Sequence, residues 1–523
     1  MSSGSKVEWL SWKGYSEKKR VSLNGWLNGF SFPSRLFERV PFCIESYDVL
    51  REKDTDERLA IQSDLFERTN HSVMATQFMG IIRSKENKWL REQISLCLKT
   101  MIKLMQIVSV DDIDGPALKQ LLDVLPAKTA EYLRSSLESS LYFYANGKVK
   151  KPFARVEEQA LYIELGVDIL ASGLNFMMAE FQVRYATPYA HLIDDMSAAY
   201  QAIFPGLFKK FGLKAETFST RRRDIFNACA ESFTAMSGEP VARVLVDAWA
   251  YENNSGANLK RTAEQLGMDY VLFDELSKTQ NLIERTYRNK RLCIFNQAPL
   301  NLLDPSDLLF QRVNAEQLEN YDELSWTGLL QRYLDGQVFM ANSPMTDLLN
   351  DKALYAAIPD LARHFFGETL ELSISEDMAC WSPSDYHQVH EANLNWAKNN
   401  KNKAVIAHRY LEGGLGIRVG PATSAEEWES FIETFVCDRP YLYVVRKYFP
   451  MDPDFSLRLI ASSSLKNLSE DLSNFKAEYT DTIFARLTTQ SPLSAENHRS
   501  FLIFQADDSK IEPRYEFKEE SSR

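Results

Sequence analysis

Glu180, Gln182 and Arg184 alternate in the segment Met178-Ala179-Glu180-Phe181-Gln182-Val183-Arg184, which leads to a turn at Pro188. Successive side chains of an extended strand point to opposite faces, so these three would share one. Two oxygen donors and a cation on a single face suit a hard cation such as Mg²⁺ beside a phosphate. A second candidate is Lys352 in Asn350-Asp351-Lys352, at the start of an apolar helix expected to run to Phe366. That lysine could reach a phosphate or open an ordinary surface helix. A third is the loop Glu412-Gly413-Gly414-Leu415-Gly416. Its glycines would let backbone N–H groups close over phosphates, although the same letters also make a tight hairpin turn. His387-x-x-His390 has helical metal-ligand spacing, but the spacing places no third ligand, so structural histidines are expected.

These groups need elements to hold them. Apolar residues at Leu90, Ile94, Cys97, Met101, Leu104 and Val108 predict a helix over 84–108 with one buried stripe. Further helices are expected over 111–122 and 127–141, so residues 1 to about 145 read as a helical region. A β-like run at 241–246, a helix at 256–266 stopped by Gly267, and a strand at 270–273 form a β-α-β unit without a glycine fingerprint. A strand is expected at 338–341. A hairpin over 404–409 and 416–419 follows, then a helix at 425–436 capped by Ser424 and Glu427. Strands at 441–449, 455–461, 482–488 and 501–505 complete the chain. The triple Arg221-Arg222-Arg223 reads as a solvated helix start or a phosphate patch.

The chain has 523 residues, 45% hydrophobic and 25% charged, with a net charge of −12. Several cores are affordable at that length, and the acidic balance argues against a general nucleic-acid partner. No run approaches the length of a membrane span, and the start, MSSGSKVEWL, has no apolar core of signal-peptide length. The six cysteines are scattered with no CxxC, which argues for reduced thiols in a cytoplasmic setting. Cys43 and His71 form no recognisable thiol active site.

The order of these segments resembles the circularly permuted ATP-grasp ligases, the family that includes glutathionylspermidine-synthetase-like enzymes. The resemblance rests on Asp307–Phe366, with a strand ending Phe310-Gln311-Arg312, the strand at 338–341, the Asn342/Pro344 turn and Asn350-Asp351-Lys352. It implies an α/β chain (α+β in the broad sense) with a helical N-terminal region (1–147) and a permuted ATP-grasp segment carrying the metal strand (148–238). A Rossmann-like pre-ATP-grasp unit (239–345), the lysine helix, lid and C-terminal strands (346–512) and a polar tail (513–523) would follow. The implied activity is ATP-dependent joining of a carboxylate to an amine through an acyl phosphate, with ATP and Mg²⁺ as cofactors. The substrates would be small molecules, free, within a peptide or on a carrier protein.

Residue by residue, Glu180 and Gln182 stand where the family has its Glu-x-Asn metal stretch, and Asp168 is placed like the third metal ligand. Arg155 and Arg458 are placed like catalytic arginines, with Arg486 a second candidate for the latter role. Lys352 is placed like the phosphate-reaching lysine. Arg184, Gly413, Gly414 and Gly416 would contact the nucleotide. Two departures stand out. The family's Lys-Pro before the lid is Ile406-Ala407-His408-Arg409 here, so Arg409 would have to substitute. The hinge reads Val445-Arg446-Lys447, whose cationic side chains accept no hydrogen bonds. These departures leave open a non-catalytic binding or scaffold protein on a degenerate ATP-grasp fold.

Overall fold

The computed structural model describes residues 37–38, 74–110, 114–140, 161–172, 175–183, 187–203, 205–237, 241–247, 256–272, 276–297, 332, 336–343, 346–410, 416–449, 455–465, 470–488, 498–507 and 509. Within them the chain builds a mixed α/β fold on three main sheets. The largest has nine strands. Phe37–Glu38 lies at one edge, followed in order by Met74–Arg83, His498–Ala506, Ile483–Thr488, Phe455–Leu465, Leu161–Ser172, Asn175–Gln182 and Ser373–Ile374, with Ala477–Tyr479 pairing beside Phe455–Leu465.

At its heart is the hairpin Leu161–Ser172 and Asn175–Gln182. Leu161, Ile163, Leu165, Val167 and Ile169 alternate on one face and are buried in the main core. The helix Ser84–Val110 contributes Leu90, Ile94, Cys97, Met101, Leu104 and Val108 to that core, in the expected stripe. Tyr162, Glu164, Gly166 and Asp168 lie on the opposite face, as strict alternation requires. A bulge after Asp168 shifts the register, so that Asp168 faces Glu180 while Ile169 faces Met178. The extra residue sends Met178 into the core and keeps Glu180 on the polar face; without it the two, separated by two positions, would point the same way.

The N-terminal region is not all helical. Met74–Arg83 is a ten-residue strand that pairs in parallel with His498–Ala506. Its pairing partner is more than four hundred residues away, so local periodicity could not reveal it. The helices that follow, Pro116–Val124 and Ala127–Glu138, agree with expectation.

Four parallel strands form the second sheet, in the order Asp269–Leu272, Val241–Asp247, Arg291–Gln297 and Val338–Ala341. Helix Gly256–Leu266 links the first pair as a crossover, and Gly267 ends it at φ 63°. At the exit of the last strand, Asn342 adopts φ 50°, in the left-handed region that asparagine tolerates. Its backbone N–H donates to the Tyr162 carbonyl (3.1 Å), and its amide oxygen accepts from the Glu164 N–H (2.7 Å). The amide nitrogen donates to the carbonyls of Glu164 and Val183. One side chain thus stitches the parallel sheet to both arms of the central hairpin.

The third sheet is small and antiparallel: Asp377–Ala379, Tyr443–Lys447, Ala404–His408 and Ile417–Val419. Beside it sits the helix Ala425–Phe431, with the expected capping box between Ser424 and Glu427. It continues as a wider turn over Ile432–Val436. The segment after Lys352 is not one helix: a 3₁₀ stretch, Lys352–Ala357, gives way to the α-helix Ile358–Phe366, which ends at Gly367 with φ 67°. Pro359, in the first turn, has no N–H to continue the earlier ladder. His387 lies in the strand Asp385–Val389 and His390 caps the helix Glu391–Asn399, so their spacing is not helical. Among the described residues no helix is long and apolar enough to cross a membrane. Cys97, Cys229, Cys293 and Cys380 are buried free thiols.

Candidate active site

The polar face of the central hairpin gathers the charged residues. Cross-strand register aligns Arg458 with Asp168 and Asp168 with Glu180, a row spanning three neighbouring strands. Arg458 grips Asp168 with two hydrogen bonds, Nε to Oδ1 and Nη2 to Oδ2, both 2.6 Å. Gly166 lies against this grip, where a Cβ would meet Arg458 Cδ at 3.5 Å, an ordinary van der Waals contact. Gln182, two residues along from Glu180, donates its amide to Asp168 Oδ2 (3.0 Å) and Glu180 Oε1 (2.5 Å).

Lys352 enters from outside the sheet. Its Nζ lies 3.0 Å from Glu180 Oε2, and the residue is fully buried. Tyr355, one turn on, holds the two elements together. Its hydroxyl accepts from the Phe181 N–H (2.9 Å) and donates to the Leu349 carbonyl (2.8 Å). Asp351 caps the 3₁₀ stretch by accepting from the Ala353 N–H (3.0 Å). It is gripped in turn by Arg409 at 2.9 and 2.6 Å and by the Tyr410 hydroxyl at 2.9 Å.

Around this row the small sheet adds Asp377, paired with Arg446 at 2.9 Å. Burial pushes the Asp377 carboxyl above its ordinary range, against the pull of Arg446. His408 is buried and lowered to about 3, chiefly by burial, with Lys352 and Arg409 adding repulsion, so its ring is neutral. Its Nδ1 accepts from the Tyr410 N–H (3.2 Å).

Five of the residues singled out by sequence therefore converge: Asp168, Glu180, Gln182, Lys352 and Arg458. Arg409 does not join them as a nucleotide contact. It is completely buried, and its N–H groups are directed at Asp351, the Ser136, Ser139 and Tyr441 carbonyls and the Ser139 hydroxyl. Gly416, at φ 69°, precedes Ile417–Val419 and accepts from the His408 N–H. Arg155, Arg184, Gly413 and Gly414 lie outside the described residues, as do the strand ending in Arg312, Cys43 and His71.

The arginine triple is corrected in its centre. Arg222 is fully buried, 3.4 Å from Glu164, and also faces His191, Thr262 and Gln265. Sequence reasoning also missed the clamping of Asp351, which only tertiary contact shows.

The donor set fits a hard divalent cation. Two carboxylates lie within reach of one amide, and a half-turn of that amide would present its oxygen to the same space. Among the described residues no group of three or more His, Cys, Asp or Glu is placed to hold a metal ion, so the donors here are two carboxylates and one amide.

Residues 287–466, which contain Lys352, Arg409 and Arg458, match the family described as circularly permuted ATP-grasp type 2. Over these residues the chain is similar to that family. An uncharacterised protein of Synechocystis is 29% identical over 106 residues, 20% of this chain and 20% of that protein. A protein of Frankia alni provisionally named glutamate–cysteine ligase 2-3 is 23% identical over 279 residues, 52% of this chain and 30% of its own length. The chain thus spans less than a third of either curated relative. A glutathione synthetase-like effector from Globodera pallida, solved in apo form, aligns with a TM-score of 0.47 at 9% identity. That alignment covers 86% of this chain and 98% of the effector.

Proposed function

We propose that this protein is an ATP-dependent carboxylate–amine ligase acting through an acyl phosphate, with Mg²⁺ as its metal. The observation that carries the reading is the buried row in which Asp168, Glu180 and Gln182 meet Lys352 and Arg458. Asp168, Glu180 and the Gln182 amide oxygen would hold Mg²⁺. Its chemistry there is to neutralise phosphate charge. Lys352 and Arg458 already point at the carboxylates, so each has only to exchange a carboxylate for a phosphate oxygen. Lys352 would bind the triphosphate. Arg458 would hold the transferred group, and Arg155 would add charge. The lid glycines Gly413, Gly414 and Gly416, together with Arg184, would enclose the nucleotide.

A substrate carboxylate oxygen attacks the γ-phosphorus and ADP departs, leaving an acyl phosphate. The amine nitrogen then attacks the acyl carbon, phosphate leaves, and the nitrogen loses a proton. No protein nucleophile is required; positioning and fixed charge carry the step. The Frankia protein's name supports amino acids as substrates. The buried free thiols suit a reducing, cytoplasmic setting.

The alternative is a scaffold on a degenerate fold. It is favoured by the burial of Arg409, which leaves the nucleotide with one basic contact fewer. Calorimetric titration with Mg-ATP, beside Lys352→Ala and Glu180→Ala, separates the two. Saturable binding lost in both variants, with ADP release that needs both a carboxylate and an amine, supports the ligase. No binding at millimolar Mg-ATP leaves the scaffold.

A further inference from the structure

Arg409 stands where the expected second nucleotide-binding lysine would be, yet it faces away from the carboxylate row. Its guanidinium closes a ring of contacts around the residue before Lys352. Nε and Nη2 grip both oxygens of Asp351, which is the cap of the turn that Lys352 opens. Nη1 and Nη2 also donate to the Ser139 and Ser136 carbonyls at the C-terminal end of the helix Ala127–Glu138. That helix end carries partial negative charge, so a cation is stabilised there. The guanidinium carbon lies over the Trp381 ring, 4.7 Å from its centroid.

The main chain of Arg409 completes the hold. Its carbonyl accepts from the Lys352 N–H at 3.2 Å and lies 3.5 Å from Lys352 Nζ. Lys352 is therefore fixed through Asp351 on one side and through the Arg409 carbonyl on the other. Its Nζ pairs with Glu180, in the carboxylate row.

We infer that Arg409 is a positioning residue that acts through Lys352. It locks the base of the lid strand, the Asp351 cap and the helix Ala127–Glu138 into one body, so that Lys352 Nζ is held at the phosphate position. A lysine in its place keeps one charge but cannot span Asp351 and two helix-end carbonyls at once, because only the planar fork presents donors in that geometry. The inference rests on the ligase reading, in which Lys352 binds the triphosphate.

A double-mutant cycle tests it, with Mg-ATP affinity measured by calorimetry on the full chain. Arg409→Lys should keep the fold and weaken Mg-ATP binding about 10-fold. Lys352→Met should weaken it at least as much. The double variant should bind like Lys352→Met alone, within about twofold, because Arg409 has nothing left to act through. Equal 10-fold losses in both backgrounds would show an independent nucleotide contact or a general structural effect, and would overturn the inference. So would an Arg409→Lys variant that binds like the parent. If Arg409→Lys does not fold, the neutral pair Asp351→Asn/Arg409→Met takes its place, since removing both charges avoids stranding one of them in the core. With that pair, recovered melting temperature but weakened Mg-ATP binding supports positioning, and joint recovery of both overturns it. A parent that binds no Mg-ATP sinks the ligase reading itself, an outcome distinct from a parent that binds while the cycle is additive.

Discussion

At the scale of residues, charge in this site is balanced before any ligand arrives. Each carboxylate proposed for the metal already has a cation, Lys352 on Glu180 and Arg458 on Asp168. Free metal must therefore compete with buried ion pairs, whereas a metal–triphosphate complex brings anions for the cations that it displaces. Lys352→Met should lose the stabilisation by Mg-ATP, about 2.7 kcal/mol at roughly 100 times Kd in the parent. It should also bind Mn²⁺ without nucleotide more tightly than the parent does. Thermal melts and Mn²⁺ titration read the two effects, and unchanged Mn²⁺ affinity would count against the exchange. His408 gives a prediction in pH. The unfolded chain takes up a proton near 6.5, and the folded ring resists until about 3. Its stability contribution is thus present above 6.5 and lost as pH falls between those values, at up to about 1.4 kcal/mol per pH unit. His408→Asn keeps an acceptor for the Tyr410 N–H without the titration. Denaturant melts at pH 7.5 and 5.5 should therefore show the parent losing stability relative to the variant; a constant difference would refute the assignment.

Elements explain why the row is level. Alternation puts Glu180 and Gln182 on one face, and the bulge after Asp168 frees Met178 for the core without turning Glu180 away. The capped helix Ala425–Phe431 braces the small sheet through the buried residues Trp428 and Phe431. Ser424→Ala should lower stability by about 1 kcal/mol, read by urea titration. Gly420 is a stricter position, since a Cβ there would meet the Lys401 carbonyl oxygen at 1.7 Å. That oxygen belongs to the backbone, so Gly420→Ala must shift the turn, at about 1–3 kcal/mol or more. A variant as stable as the parent would mean that the Lys401 turn yields easily. Capping and alternation were legible because both depend on neighbours a few residues apart. The strand Met74–Arg83 was not, since its partner, His498–Ala506, lies at the far end of the chain.

In the whole molecule one core joins parts remote in sequence. The same cluster contains Ile82, Leu98, Ile163, Leu354, Leu457 and Ile503, so the helix Ser84–Val110 supports the hairpin from behind. Leu98→Ala should cost about 2–5 kcal/mol. Its melt, followed by far-UV dichroism and by tryptophan fluorescence, should remain a single coincident transition; two separate transitions would show that the helical region is an independent unit. The sequence by itself determined the helix stripe expected at 84–108, the crossover unit expected at 241–273, the capping box and the residue types of the row. All of these are written in short-range periodicity and local hydrogen bonding. Only the tertiary structure decided that Arg458 lies on Asp168, 290 residues away, that Lys352 reaches Glu180, and that Arg409 turns inward to Asp351. A buried cation needs a carboxylate, and which carboxylate it meets depends on how distant strands come into register.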